Sequence, residues 1–300
     1  STNPCGEIPL CPYDSCRLLA INLYSYVENP FTREATFNYD KLREHVRLAQ
    51  RIMDDIIDLE LEKIELIMQK IESDPESEEV KGAEKHLWEK IYHKSRYGRR
   101  TGVGITAEGD MIAAMGLKYG TPEATYFSAD IHKIVAVEAY RSSVQMAKER
   151  GAFAIYDAER EMNNPFVNRI KSVDPALYDE MVKYGRRNIA CLTIAPTGTT
   201  SLMTQTTSGI EPVFLPVHKR RRKVNPNDTN VHVDFVDESG DSFEEYIVYH
   251  PKFLTWMEVN NYDTSKNYTQ EEIDELIKIS PYYGATANDV DWLEKVKMQG

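Results

Sequence analysis

The chain has 300 residues, which is enough for one large domain or two medium ones, each with a sizeable core. Acidic residues outnumber basic residues by 48 to 36, and the resulting net charge of −12 argues against general binding to nucleic acids, whose phosphate backbone it would repel. No apolar run is long enough to cross a membrane, so we expect a soluble, cytoplasmic protein with neither a nucleic acid nor a membrane as partner.

Cysteine usage indicates a reducing compartment. The chain contains four cysteines: Cys5, Cys11, Cys16 and Cys191. This number is small for a disulfide-stabilised secreted protein, and no signal peptide precedes them. The gaps between the first three do not match the close pairs of structural zinc sites, so we expect free thiols and no metal site. Two glycosylation patterns, Asn227-Asp228-Thr229 and Asn267-Tyr268-Thr269, carry no meaning without a secretory signal.

The opening stretch Asn3-Pro4-Cys5-Gly6-Glu7 places an amide, a thiol and a carboxylate at alternate positions. Proline fixes φ and glycine leaves it free, so the stretch disfavours a regular helix. An extended loop would point the three side chains to one side. A reactive sulfur, an acid or base and a group that holds a hydroxyl form a candidate chemical site, although the spacing alone favours a plain loop with a buried cysteine.

The first hundred residues then predict a short element, a long helix and a glycine-rich run. Residues 16–27 fit a buried strand or a short helix equally well. From Asp40 to Ser73 apolar residues recur every three or four positions, which predicts one long amphipathic helix or a pair, followed by a solvated acidic loop. The Gly-x-Gly-x-x-Ala pattern at 102–107 imitates a dinucleotide fingerprint, which we reject because no strand-like run precedes the glycines.

Residues 128–150 predict a helix with Ser128 as N-cap and Gly151 just past its end. The β-like run 189–194 leads into Ala195-Pro196-Thr197-Gly198-Thr199-Thr200-Ser201, where backbone N–H groups and hydroxyls are available to an anion. The lysine of a nucleotide-binding P-loop is missing. This segment therefore predicts a phosphate cradle without a cationic anchor, or an ordinary turn from a strand to a helix.

The last third contains one dense basic run, 218–223, which we interpret as a solvated or substrate-facing edge. Residues 231–235 and 246–249 predict a β-hairpin, and Thr269 with Glu272 predicts a capped helix up to Ile279. Strand-like runs alternate with helices throughout, which favours the α/β class.

Two motifs together resemble one family. Asn-Pro-Cys-Gly-Glu-Ile at 3–8 and Pro-Thr-Gly-Thr-Thr-Ser at 196–201, the latter followed by Ser-Gly-Ile-Glu-Pro at 208–212, resemble the catalytic large subunit of ribonucleotide reductase. The first motif and the stretch 15–23 are most similar to its adenosylcobalamin-dependent class II branch. The resemblance implies a ten-stranded α/β barrel with the reactive cysteine on a central loop. Residues 1–300 would be the second, C-terminal half of that barrel, an incomplete domain.

The same resemblance implies a chemistry, the reduction of ribonucleotides to 2′-deoxyribonucleotides by a thiyl radical. Cys5 would carry the radical, Glu7 would take the proton of the 3′ hydroxyl and Asn3 would hold the ribose hydroxyls. Cys16 would be a reducing thiol whose partner lies upstream of this chain. The substrate phosphate would be held by four residues: Thr197, Gly198, Thr199 and Thr200.

The implied cofactor is adenosylcobalamin, and the implied partners are a dithiol reductant such as thioredoxin, the missing N-terminal half and further copies of the complete enzyme in a homo-oligomer. Half a barrel would expose strand edges, so we expect a fragment or split-gene product that is inactive alone. Two alternatives stay open at this point. One is a catalytically silent nucleotide-binding scaffold, and the other is a thiol hydrolase that uses Cys5 with a distant histidine.

Overall fold

The structure is a computed structural model that describes residues 1–225, 227–228 and 230–300. Thr229, the last residue of one glycosylation pattern, lies outside the described residues. Within them lie seven strands: β1 (Arg17–Asn22), β2 (Val27–Glu28), β3 (Thr36–Phe37), β4 (Thr101–Thr106), β5 (Val217–Lys223), β6 (Phe235–Val236) and β7 (Ser242–Tyr249). A 3₁₀ turn, Leu23–Tyr26, follows β1, so the segment 16–27 contains both a strand and a short helix.

Helices make up most of the remaining regular structure. Eleven lie in the described part: α1 (Tyr39–Ser73), α2 (Glu78–Gly98), α3 (Glu108–Ala114), α4 (Pro122–Arg150), α5 (Ala158–Glu161), α6 (Pro165–Val173), α7 (Pro175–Tyr184), α8 (Gly198–Thr204), α9 (Pro251–Val259), α10 (Gln270–Ile279) and α11 (Trp292–Gln299). The chain thus mixes helices with sheets, in agreement with the α/β prediction at this level.

The parallel pair β1–β4 is the part of the fold on which the candidate site is built. Along the other edge of β4, the backbone N–H of Val103 donates to the carbonyl oxygen of Cys191 at 2.8 Å. Leu192 forms a single parallel bridge with Val103. The strand predicted over 189–194 is therefore reduced to this bridge and its flanking hydrogen bonds.

Two glycines allow these segments to approach β4 closely. A Cβ atom at Gly104 would collide with the carbonyl oxygen of Thr193. A Cβ atom at Gly102 would lie 2.7 Å from Sγ of Cys16, which is closer than real Cβ contacts. Both glycines lie inside a buried strand and not in a turn after one, which agrees with the rejection of a dinucleotide fingerprint.

Helix α1 is one continuous helix of 35 residues, which is one of the two predicted alternatives. The side chain of Asn38 caps it by accepting the backbone N–H of Lys41 at 3.0 Å. Its buried apolar face contains Leu42, Val46, Ala49, Met53 and Ile57. Because a fully buried Leu, Val or Ile side chain contributes about 1.5–3 kcal/mol, this face anchors the helix to the domain.

Helix α4 begins at Pro122, so the prediction that Ser128 is its N-cap is wrong. The hydroxyl of Thr121 accepts a backbone N–H of the first turn at 3.3 Å, and Pro122 has no N–H that needs a partner there. Ser128 is buried inside the helix and donates to the carboxylate of Glu108. The predicted end is confirmed, because Gly151 follows Arg150 with φ of 87°.

The predicted hairpin of 231–235 with 246–249 is wrong in its main pairing. Strand β7 pairs along its length with β5, the basic run, whereas β6 covers only the start of β7. The reason is charge compensation across the pair. Arg221 donates to Glu245 at 2.6 Å, and Arg222 donates to Glu244 at 2.8 Å. The basic run is an exposed strand, as a solvated edge requires.

Sheets of two, two and three strands are present in the described residues, and these form no closed barrel. The ten-stranded barrel therefore stays a prediction. Helix α10 has the predicted capping box between Thr269 and Glu272. Across the described chain, none of the helices combines the length and apolar character needed to cross a bilayer.

Candidate functional site

A cleft of about 320 Å³ opens beside the β1–β4 pair. Its walls come from the opening loop, from β1 and β4, and from the segment that leads into α8. The lining residues are Cys5, Glu7, Leu18, Leu19, Ala20, Gly102, Gly104, Ile105, Thr193, Ala195, Pro196, Thr197, Gly198, Thr199 and Thr200. The two sequence motifs that carried the resemblance thus share one cleft, although they lie far apart in the chain.

The opening loop is closed by its own hydrogen bonds. The backbone N–H of Asn3 donates to the carbonyl oxygen of Ile8 at 3.2 Å, and the N–H of Ile8 donates to Oδ1 of Asn3 at 3.3 Å. Gly6 turns the chain with φ of 78°, a conformation that glycine adopts without strain. The loop presents Cys5 and Glu7 to the cleft. Asn3 closes the loop and is not among the described residues that line the cleft.

Glu7 contributes a carboxylate oxygen that the protein does not satisfy. Its Oε2 atom is buried, and no described group forms a hydrogen bond with it. A buried acceptor without a donor is costly, so such an atom calls for an explanation such as a ligand or a water. The hydroxyl of Thr193 donates to the backbone carbonyl of Glu7 at 3.3 Å, which joins the opening loop to the segment before α8. The backbone of Glu7 is therefore held in place, and its carboxylate is available to a ligand.

The hydroxyl-rich loop before and within α8 contains two kinds of side chain. Thr199 and Thr200 are exposed, and within the described structure their hydroxyls form no hydrogen bonds. Thr197 has φ of 54°, and its Oγ1 atom accepts the backbone N–H of Gly209 at 2.8 Å and lies 3.0 Å from Oγ1 of Thr106. Ser201 is 3 % exposed and hydrogen-bonded internally, which is compatible with a supporting role.

Cys16 lies behind the cleft wall, with its sulfur next to Gly102. Burial raises the pKa of the Cys16 thiol to about 11, although the positive charges of Arg100 and Arg17 oppose this increase. Cys11 is exposed and Cys191 is buried, and all four cysteines are free thiols. Of the predicted site residues, the structure brings Cys5, Glu7 and the phosphate loop together, with Cys16 behind the wall and Asn3 apart.

Two threonines of this region were not identified from the sequence. Thr193 links the opening loop to the segment before α8, and Thr106 links the end of β4 to Thr197. Each lies at the end of a strand-like run, where a hydroxyl also fits an ordinary turn. Only their position next to the two motifs in space identifies them.

Comparison with known proteins places the chain in a family. The family model described as "Ribonucleotide reductase, barrel domain" matches residues 1–299. A "Vitamin B12-dependent ribonucleoside-diphosphate reductase" from Thermoplasma acidophilum is 33% identical over 71% of this chain and 22% of its own length. A protein of the same name from Mycobacterium tuberculosis is 29% identical over 71% of this chain and 24% of its own length.

A "Ribonucleoside-diphosphate reductase subunit alpha" from Chlamydia pneumoniae is 28% identical over 71% of the chain and 20% of its own length. The chain therefore matches a barrel domain. It belongs to the ribonucleotide reductase family. It spans less than a quarter of the length of these curated relatives.

Proposed function

We propose that this chain forms the substrate-binding and radical-carrying part of an enzyme that reduces ribonucleotides to 2′-deoxyribonucleotides, the precursors of DNA. One observation carries the proposal: Cys5 and Glu7 face the same cleft as Thr199 and Thr200. The names of the relatives support it. A cleft of about 320 Å³ is at the lower end of the size range of small-molecule sites and suits the sugar and phosphate of a nucleotide.

In the proposed reaction the Cys5 sulfur radical takes the hydrogen atom from the 3′ carbon of the ribose. Glu7 accepts the proton of the 3′ hydroxyl through its unpaired Oε2 atom, and the 2′ hydroxyl takes a proton from the thiol pair formed by Cys16 and a cysteine from outside this chain and leaves as water. The same pair transfers its second hydrogen to the 2′ carbon, supplies two electrons in all and closes a disulfide. Glu7 returns its proton to the 3′ oxygen, and Cys5 finally returns the hydrogen atom to the 3′ carbon. Asn3 holds the ribose hydroxyls only if the loop that it closes rearranges when substrate binds.

We propose adenosylcobalamin as the cofactor, on the basis of the family and of the relatives' names. A corrin ring with its nucleotide tail is much larger than the cleft, so these lining residues do not house it. When bound elsewhere in the enzyme, the cofactor would supply the radical from which the Cys5 sulfur radical is generated. Cys5 is exposed, so a group that is held by another part of the enzyme can reach it.

The domain and its partners follow from the same family. We propose that residues 1–300 are the C-terminal portion of the ten-stranded catalytic barrel, which the N-terminal half completes. Among the described strands, β1 pairs only with β4, and its second edge is available for a strand from that half. A dithiol protein such as thioredoxin would reduce the disulfide after each turnover. The complete enzyme is expected to form a homo-oligomer in the cytoplasm.

Replacement of Cys5 tests the proposal in the complete enzyme that contains this chain. Cys5→Ser should abolish reduction of ribonucleoside diphosphates, because a hydroxyl does not exchange its hydrogen atom as a thiol does, and it should leave nucleotide binding intact. Cys11→Ser is the matched control, since Cys11 is an exposed thiol outside the cleft. Full turnover by the Cys5→Ser enzyme would contradict the radical role. Binding without turnover in the wild type would favour a scaffold.

A further inference from the structure

The hydroxyl of Thr197 has two hydrogen-bond partners inside the protein. Its Oγ1 atom lies 3.0 Å from Oγ1 of Thr106, and either hydroxyl can be the donor. It also accepts the backbone N–H of Gly209 at 2.8 Å. Oγ1 of Thr106 in turn lies 3.3 Å from the carbonyl oxygen of Thr207, to which it can donate. The exposed hydroxyls of Thr199 and Thr200, by contrast, have no partner within the described structure.

A second hydroxyl–hydroxyl contact, between Ser201 and Ser208, accompanies the contact between Thr106 and Thr197. Oγ of Ser201 donates to the carbonyl oxygen of Gly198 at 2.9 Å and lies 2.7 Å from Oγ of Ser208, a contact in which either hydroxyl can be the donor. The contact of Thr197 with Gly209 and the contact of Ser201 with Ser208 both join the loop 197–201 to the segment 207–209. The first one also reaches β4 through Thr106, whose side chain is buried.

The segment 207–209 is itself fixed to the junction between β4 and α3. The backbone N–H of Ala107 donates to the carbonyl oxygen of Thr207 at 3.0 Å, and the N–H of Glu108 donates to that of Gly209 at 3.2 Å. The N–H of Thr207 donates to the buried carboxylate of Asp110 at 2.7 Å. The position of the loop is therefore set by β4 through a continuous chain of hydrogen bonds.

We propose that Thr197 and Thr106 are positioning residues that hold the loop at a fixed distance from Cys5, and that the phosphate is gripped by the hydroxyls of Thr199 and Thr200. This inference rests on the proposed function and changes the role assigned to Thr197. Thr197 has a positive φ of 54°, which is unfavourable for a β-branched residue and needs support from the surrounding structure. Its two hydrogen bonds provide that support. Thr106 does not line the cleft, so it acts through Thr197.

The test is a double-mutant cycle in the complete enzyme. Thr106→Val and Thr197→Val each remove one hydroxyl from the same bridge, so each should lower kcat/KM by about tenfold, and the double variant should lose little more than either single one. Thr197→Ser keeps the hydroxyl and should stay within about threefold of the wild type. Thr199→Val removes a contact to the substrate. The fold decreases in kcat/KM caused by Thr199→Val and by Thr106→Val should therefore multiply in the double variant.

One pattern would overturn the proposal: Thr106→Val behaving as wild type while Thr197→Val loses activity, which would mean that Thr197 touches the phosphate directly. Urea unfolding of the wild type and of these single and double variants tests the bridge without any turnover. The destabilisations by Thr106→Val and Thr197→Val should be non-additive, whereas Thr106→Val and Thr199→Val should be additive. Additive losses for the first pair would show that no bridge exists. A wild-type enzyme that reduces no ribonucleotide would refute the proposed function and leave this unfolding result standing.

Discussion

Hydroxyl groups and glycines determine the candidate site at the scale of single residues. The sequence predicted that Asn3, Cys5 and Glu7 would face one side, because alternate positions of an extended chain do so. In the structure Cys5 and Glu7 do line one cleft, but Asn3 does not. Gly6 turns the chain with φ of 78°, and the backbone N–H of Ile8 donates to Oδ1 of Asn3. The residue types alone do not predict this turn, because glycine permits several conformations and the surrounding contacts select one.

Cys16 provides a pH-dependent prediction at the same scale. Burial raises its pKa from 9.0 to about 11, and alkylation requires the thiolate. At pH 8 its thiolate fraction should be about a hundredfold lower than that of a thiol at the ordinary value, and labelling should increase about tenfold per pH unit up to pH 10. Mass spectrometry after brief treatment with iodoacetamide measures this rate.

Two variants sharpen the Cys16 experiment. Arg100→Gln removes a positive charge that lowers the pKa of Cys16, so labelling of Cys16 should become slower still. Arg51→Gln removes a charge on the surface of α1 and should leave the rate unchanged, because Arg51 pairs with Glu149 and is not among the charges that act on Cys16. Labelling of Cys16 as fast at pH 7 as at pH 9 would mean that the pKa of the thiol lies below 7, which contradicts a pKa raised by burial.

At the scale of elements, the sequence was most informative where one spacing continued for a long distance. Apolar residues at every third or fourth position identified α1 over its whole length. The start of α4 was placed at Ser128 because serine is a good cap, yet Thr121 followed by Pro122 is the stronger start and lies about two turns earlier. The partner of β7 could not be predicted from local spacing, since β5 pairs with it through charges that lie about twenty residues away.

Gly104 connects the element scale to the cleft. A Cβ atom at this position would collide with the backbone of Thr193, so Gly104→Ala should push the segment 190–193 off β4. The expected cost is about 1–3 kcal/mol in the free energy of unfolding, as for other overpacked cores. Urea unfolding followed by circular dichroism measures it.

Gly82 is the matched control for this substitution. It lies within α2, is exposed, and a Cβ atom there would meet nothing within 4 Å. Gly82→Ala should therefore stabilise the protein by about 0.5–1 kcal/mol, because alanine favours the helix. If Gly104→Ala left the unfolding midpoint unchanged or raised it, as Gly82→Ala should, the close approach of residue 193 to β4 would be disproved.

At the scale of the whole molecule, the sequence predicted the architecture least well. A closed barrel requires every strand to have two neighbours, whereas β1 has one partner among the described strands. The barrel was inferred from a family resemblance, and the described strands do not supply the neighbours that would close it. Composition and periodicity report which faces are apolar, but they do not report which strand covers an edge.

Helix α1 nevertheless carries a surface that fits such a neighbour. Beside its buried face runs a second apolar stripe with spacings of four, four, three and seven residues: Leu48, Ile52, Ile56, Leu59 and Leu66. Leu48 and Ile52 also line an apolar hollow of about 320 Å³ together with Leu19 and Ile21 of β1. The stripe is therefore continuous with the edge strand. A contiguous apolar surface of this kind is typical of an interface.

We expect the rest of the reductase to cover this stripe when it adds a strand to β1. The double substitution Leu48→Lys and Ile52→Lys places two charges on the stripe and should weaken association of the 300-residue chain with the remaining part of the enzyme by at least tenfold, because two charges would have to be desolvated. Titration calorimetry with the separately produced N-terminal part measures this affinity. Circular dichroism should be unchanged, since both side chains are exposed.

Val236→Lys is the control, because Val236 is an apolar residue of similar exposure on β6, away from α1. Its association should equal that of the wild type, since a charge on β6 leaves both the stripe and the edge of β1 intact. Equal weakening by both changes would mean that any added positive charge is sufficient. No weakening by Leu48→Lys and Ile52→Lys would mean that the other half of the enzyme approaches β1 without touching α1, so that strand pairing alone holds the two parts together.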